Sequence, residues 1–98
     1  MNVLSSNSIV VASEEHIFCP LLAHTAILNL KNNVYYELDP VGTRIWNLLQ
    51  EQRSVAEIRD ALLNEYEVDA EQCERNLFDL LEIMQAQGLI EVRGFTDA

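Results

Sequence analysis

The residues of this 98-residue chain best equipped for chemistry are two histidines and two cysteines. His16, Cys19 and His24 form the only cluster with metal-ligating side chains, in the spacing His-x2-Cys-x4-His. A closed structural zinc site takes four ligands, usually in close pairs. No fourth ligand lies nearby, so neither a metal nor another cofactor is expected. Cys73 with His24 would be the one thiol–base pair available. Cys73 falls on an apolar helical stripe, where a thiol is ordinary core. The acid pairs Glu71/Glu74 and Asp79/Glu82 sit at helical spacing and read as a solvated face. Gly42, Gly88 and Gly94 are dispersed and make no phosphate-binding loop. Nothing supplies a nucleophile, a base and an oxyanion site together, so the chain is expected to bind rather than catalyse.

Composition narrows what it could bind. The formal charge is −10, from 16 acids and 6 bases. The bases, Lys31, Arg44, Arg53, Arg59, Arg75 and Arg93, are scattered. Nucleic-acid binding needs bases that neutralise phosphates, and anionic membranes repel such a chain. A partner with some positive charge is favoured. No apolar run approaches the ~20 residues that cross a bilayer. The opening MNVLSSNSIVVASEE lacks the basic start and long apolar stretch of a signal peptide. With Cys19 and Cys73 far apart and read as reduced thiols, the expected location is cytoplasmic.

The elements that must carry any site follow from periodicity and caps. Ile9–Ala12 suits a short strand. Residues 13–24 are ambiguous, because Pro20 argues against a continuous element. Thr25–Leu30 and Val34–Leu38 each alternate, with Lys31–Asn33 as a hairpin turn. These runs predict a small antiparallel sheet of about three strands. Asp39-Pro40 starts a helix with Val41, Ile45, Leu48 and Leu49 as its stripe and Trp46 beside it. Ser54-x-x-Glu57 is a capping box for a second helix, with Val55, Ile58, Ala61 and Leu62 inward. Asp69-x-x-Gln72 opens a third, which buries Cys73, Leu77, Leu80, Leu81 and Met84 and stops at Gly88. Helices of about 10, 12 and 18 residues are expected, then a short extended tail at Leu89–Val92. The fold class is α+β, winged helix-turn-helix-like: one domain over 1–98, strands at about 9–38 and helices at about 40–87. A free sheet edge either needs cover or can take an extended peptide as a further strand. Two readings of Tyr35 and Tyr36 stand: one ring packs inward while the other shields the edge, or the strand contacts a peptide.

From the aromatic pair onward, the segment VYYELDPVGTRIWNLLQEQRSVAEIRDALLNEYEVDAEQCERNLFDLLEIMQAQGLIEV resembles the PqqD-like family of RiPP recognition elements. The resemblance lies in the aromatic pair, the Leu-Asp before a helix with a Trp, the Ser-Val-Ala-Glu-Ile helix start, the Tyr-x-Val linker and the final Gly-Leu-Ile. It spans residues 25–92. It implies a three-stranded sheet on three helices that binds the leader segment of a ribosomally made precursor peptide. The leader would add as a strand beside the third strand, in a groove closed by the third helix, and be presented to modifying enzymes. Members that serve PQQ synthesis carry a Pro-Glu-Gly turn where this chain has Lys-Asn-Asn. The stretch AILNLKNNVYYELDPVGTRIW is more similar to the stand-alone proteins of lasso-peptide clusters. Those work with a separate transglutaminase-like cysteine protease that removes the leader. The alternatives are a PQQ-type peptide chaperone for a radical SAM enzyme and a winged-helix DNA-binding regulator.

On that resemblance the peptide-binding residues are expected in two groups. Asn33, Val34, Tyr35, Tyr36, Glu37 and Leu38 form the docking strand. Arg75, Asn76, Asp79 and Ile83, at spacings of three and four, form one strip of the third helix. Leu80, Ile83 and Met84 would be its apolar floor, and Arg75 and Asp79 its polar margin.

Overall fold

The computed structural model describes residues 4–14 and 16–95, with Leu21 described by its main chain alone. Six strands and three helices follow in the order β1 (Ser8–Ala12), β2 (His16–Leu21), β3 (His24–Asn29), β4 (Tyr35–Leu38), α1 (Pro40–Leu48), β5 (Arg53–Ser54), α2 (Val55–Glu65), α3 (Ala70–Ala86) and β6 (Ile90–Phe95). The mixed α+β class and the three helices agree with the periodicity. The helices hold 9, 11 and 17 residues.

The caps act as their residue types require. Asp39 accepts from the Gly42 N–H at 2.7 Å, with Pro40 at the first helical position. Ser54 and Glu57 close a reciprocal capping box. Asp69 accepts from Gln72 N at 3.0 Å, while the Gln72 side chain turns instead to Asn76. At the end of α3, Gly88 takes φ +74°. Leu89 N then donates to Met84 O and Gly88 N to Gln85 O. That pair of bonds is a Schellman motif.

The sheet differs from the expected one in membership. Two three-stranded antiparallel sheets form, ordered β5-β1-β6 and β2-β3-β4. Residues 9–12 do not join the hairpin; they pair with the C-terminal strand β6, and Val10 is fully buried there. The third strand beside the hairpin is instead β2, inside the segment that Pro20 made ambiguous. Proline is tolerated because β2 is an edge, where a missing N–H need not break a ladder. The β2–β3 turn is Leu22-Ala23, with Leu22 at φ +60° and fully exposed. Leucine rarely adopts that conformation, so this turn carries no recognisable sequence signal.

The core gathers where the sheets and helices meet. Trp46, Ile27, Leu49, Ile58, Leu77 and Leu81 are essentially inaccessible. Trp46 also meets the rings of His16 at 4.9 Å and Phe18 at 5.9 Å, both edge-on. These contacts seat the inner face of β2 on α1. Trp46→Ala should cost about 3–5 kcal/mol.

Candidate functional site

The β3–β4 connection is tied by its own asparagines. Asn33 takes φ +59°, Lys31 N donates to Asn29 Oδ1, and Val34 N donates to Asn32 Oδ1 at 2.9 Å. Val34 therefore belongs to the turn, and its N–H is already used. Asn29 N donates to Val34 O, and the register pairs Ile27 with Tyr36 and Thr25 with Leu38. Antiparallel alternation then directs the main-chain groups of Tyr36 and Leu38 toward β3. The groups of Tyr35 and Glu37 are left on the outer edge of β4, which ends the sheet.

Beside this edge lies a cleft of ≈ 590 Å³. Its near wall is the end of β4, Glu37 and Leu38, running into Asp39. Val41, Gly42 and Ile45 of α1 form its base. Leu62 of α2 and Tyr66 and Val68 of the α2–α3 linker form one end. Gln72, Cys73, Asn76, Leu77 and Leu80 of α3 form its far wall. Val41 and Val68 are large apolar residues left 43% and 49% exposed, which costs free energy unless something covers them. A Cβ on Gly42 would lie 3.3 Å from Leu38 Cβ, so glycine lets α1 start tight against β4. At the other end of α3, Tyr36 Oη donates to Gln87 Oε1 at 2.7 Å and Asn29 Nδ2 to Gln87 O at 2.6 Å. These bonds fix the separation of β4 from the end of α3.

The structure sorts the expected residues by where they sit. Glu37, Leu38, Asn76 and Leu80 come together in the cleft. Tyr35 is 59% exposed beside it, and Tyr36 is half-buried against the core. Asn33 and Val34 lie in the turn. Ile83 is 56% exposed and shares the strip of Asn76, Leu80 and Gln87 by helical spacing. Met84 does not reach the floor: it is 1% exposed in the core. Arg75 and Asp79 line a shallow depression with Glu71, Glu74 and Phe78 instead. At about 100° per residue, each sits to the outer side of Asn76. Val41, Ile45, Tyr66 and Val68 also line the cleft and are outside the expected set. Apolar Tyr66 and Val68 inside the otherwise acidic stretch Asn-Glu-Tyr-Glu-Val-Asp are the signal that could have found the linker.

Burial pushes the Cys73 thiol above its ordinary range, against the nearby Arg59 charge, so it stays protonated and a poor nucleophile. Arg44 forks onto Glu65 with bonds of 2.8 and 2.9 Å, which raises its pKa and lowers that of Glu65. Strand alternation puts Cys19 on the face of β2 opposite His16, and His24 lies at the far end of the hairpin. Among the described residues no three His, Cys, Asp or Glu side chains could share a metal ion. No helix among them is long and apolar enough to cross a membrane.

Comparison with known proteins places this geometry. A solved structure, TbiB1 in complex with the TbiA(beta) leader peptide, is 34% identical; the match covers 89% of this chain and 99% of that one, with a TM-score of 0.76. No curated protein matches the chain. The family model for Coenzyme PQQ synthesis protein D (PqqD) matches residues 24–90. With that span and a free strand edge beside an apolar cleft, the chain belongs to the PqqD family.

Proposed function

We propose that this protein is a RiPP recognition element that binds the leader segment of a ribosomally synthesised precursor peptide. The leader adds as a fourth strand to the sheet on the outer edge of β4. One or more of its apolar side chains enter the cleft between Leu38, Val41, Val68 and Leu80. The main-chain groups of Tyr35 and Glu37 supply the affinity common to any extended peptide, and the cleft supplies choice among side chains. Ile83 extends the apolar wall along α3, and Asn76 offers it a polar contact. Arg75 and Asp79 sit farther out and act through charge alone.

The observation that carries this reading is the free edge of β4 opening on an apolar cleft, in a chain 34% identical to a protein solved with a leader peptide. The protein contributes binding and no catalysis, and delivers the bound precursor to a processing enzyme. The Lys31–Asn33 turn and the Leu38-Asp39-Pro40 junction favour the lasso type, in which a transglutaminase-like cysteine protease removes the leader. The family model's own description favours a second reading, a peptide chaperone for a radical SAM enzyme of PQQ synthesis. DNA recognition is disfavoured, because α3 holds one arginine among several acids and would repel phosphates.

The test is calorimetric titration of the full chain with the leader region of the short precursor encoded beside it. A one-to-one complex with the leader, and none with the core segment, is expected. Binding to the core segment alone would contradict the assignment. The identity of the adjacent enzyme genes, protease and cyclase or radical SAM enzyme, distinguishes the two readings.

A further inference from the structure

Two short stretches of the chain read almost alike, Glu37-Leu38-Asp39 and Glu67-Val68-Asp69. The fold brings them to the same cleft, where Leu38 and Val68 both contribute to the lining. Each apolar residue is thus bracketed by two carboxylates, and all four acids are exposed. Among the described residues no Lys, Arg or His lines the cleft; Arg75 lines the outer depression of α3 instead. Arg44 on α1 is held by Glu65, and Arg59 on α2 by Asp60 and Glu74.

Helix ends do not reverse this field. α1 and α3 both begin at the cleft, and each N-terminus carries about half a positive charge. Asp39 and Asp69 cap these two ends. Glu37 and Asp39 line the cleft, and Glu67 and Asp69 flank its lining residue Val68; four carboxylates against two half-charges leave the surroundings of the cleft at roughly −3. The chain's net charge of −10 adds to that potential, and low-dielectric apolar walls focus it.

We infer that the cleft selects leader segments carrying Lys or Arg next to the apolar side chain it buries, with Glu37, Asp39, Glu67 and Asp69 as the specificity-determining residues. The inference rests on the leader-binding reading and names the class of leader that this chain accepts. A strand on β4 that buries one side chain between Leu38 and Val68 carries its neighbours past the acids that bracket them. Basic neighbours are attracted and acidic ones repelled. Each exposed pair is worth about two- to fivefold in affinity, and salt screens it over about 8 Å.

The experiment selects a displayed random linear peptide library on the immobilised full chain. Two variants run in parallel: Glu37→Gln/Glu67→Gln, which touches neither cap, and the same with Asp39→Asn/Asp69→Asn, since asparagine caps as well as aspartate. Peptides recovered on the native protein should pair an apolar residue with flanking Lys or Arg. The tightest should bind the fourfold variant about tenfold more weakly at low salt, with the gap closing at high salt. The double variant should fall between. Apolar peptides without basic enrichment, or equal affinity for native and variant proteins, would overturn charge selection and leave leader binding standing. If no recovered peptide protects the β4 amides from exchange, the leader-binding reading fails and this inference with it.

Discussion

The β2-β3-β4 sheet has two edges, and they are built differently. The β2 edge contains Pro20 and runs past Phe18, whose ring is engaged with Trp46. Its proline interrupts the row of donors that an incoming strand would need. The β4 edge has no proline before Pro40, exposes Tyr35, and opens on the apolar space between α1 and α3. An unpaired edge is a general liability. It becomes a selective site where a neighbouring helix supplies side-chain pockets that discriminate among strands.

The contrast can be broken most severely at the β4 backbone. Glu37→Pro removes a main-chain donor on the outer edge, whereas Glu37→Gln keeps it. Leader affinity should fall at least about tenfold for proline and only about two- to fivefold for glutamine. Ile17→Thr on the exposed face of β2 should leave affinity unchanged. Titration of the three variants, each checked by circular dichroism, tests the asymmetry; equal losses at both edges would refute it.

The cleft wall comes next. A leader side chain buried there contributes about 1.5–3 kcal/mol, or roughly ten- to hundredfold in affinity. Ile83→Asp should therefore weaken leader binding far more than Glu71→Ala, which lies on the wet side of α3. Ile83 is largely exposed, so the variant should fold. A folded Ile83→Asp protein with native affinity would remove α3 from the site.

How much of this was readable in the sequence depended on how local the signal was. Caps and stripes are local, so α1, α2 and α3 emerged with nearly the observed lengths. The Lys31–Asn33 turn emerged because asparagine tolerates positive φ and bonds its own backbone. The partner of residues 9–12 did not emerge, since β6 lies far along the chain and strand pairing leaves no local mark. Spacings of three and four put Asn76, Leu80 and Ile83 on one strip, of which Asn76 and Leu80 line the cleft. The core side was legible in the stripe Cys73, Leu77, Leu81 and Met84, but Met84 was counted for the cleft floor as well, and Arg75 and Asp79 for its margin, although the first is core and the other two line the outer depression. The Tyr66–Val68 linker lacks periodicity altogether, and its role appeared only in three dimensions.

Smaller effects separate structure from function. Cys73→Ser and Cys73→Ala should lower stability by about 1–2 kcal/mol, while Cys19→Ser, at an exposed position of β2, keeps leader affinity within about twofold. Denaturant titration beside calorimetry checks both numbers. His16 gives the mildest effect. Burial lowers its pKa below the ordinary 6.5, so the unfolded chain takes up this proton first. The stability gained from a neutral His16 is complete above about pH 6.5 and declines as pH falls below it. His16→Phe should flatten the fall in melting temperature between about pH 7 and about pH 5 relative to the native protein; an unchanged slope would mean that another group controls it.

The most direct test of the central claim is amide hydrogen exchange, residue by residue, with and without the leader. Strand addition on β4 predicts new protection at Tyr35 and Glu37, little change at Val34, whose N–H is already bonded to Asn32, and none along β2. No change across residues 33–38, or protection on β2 instead, would contradict it.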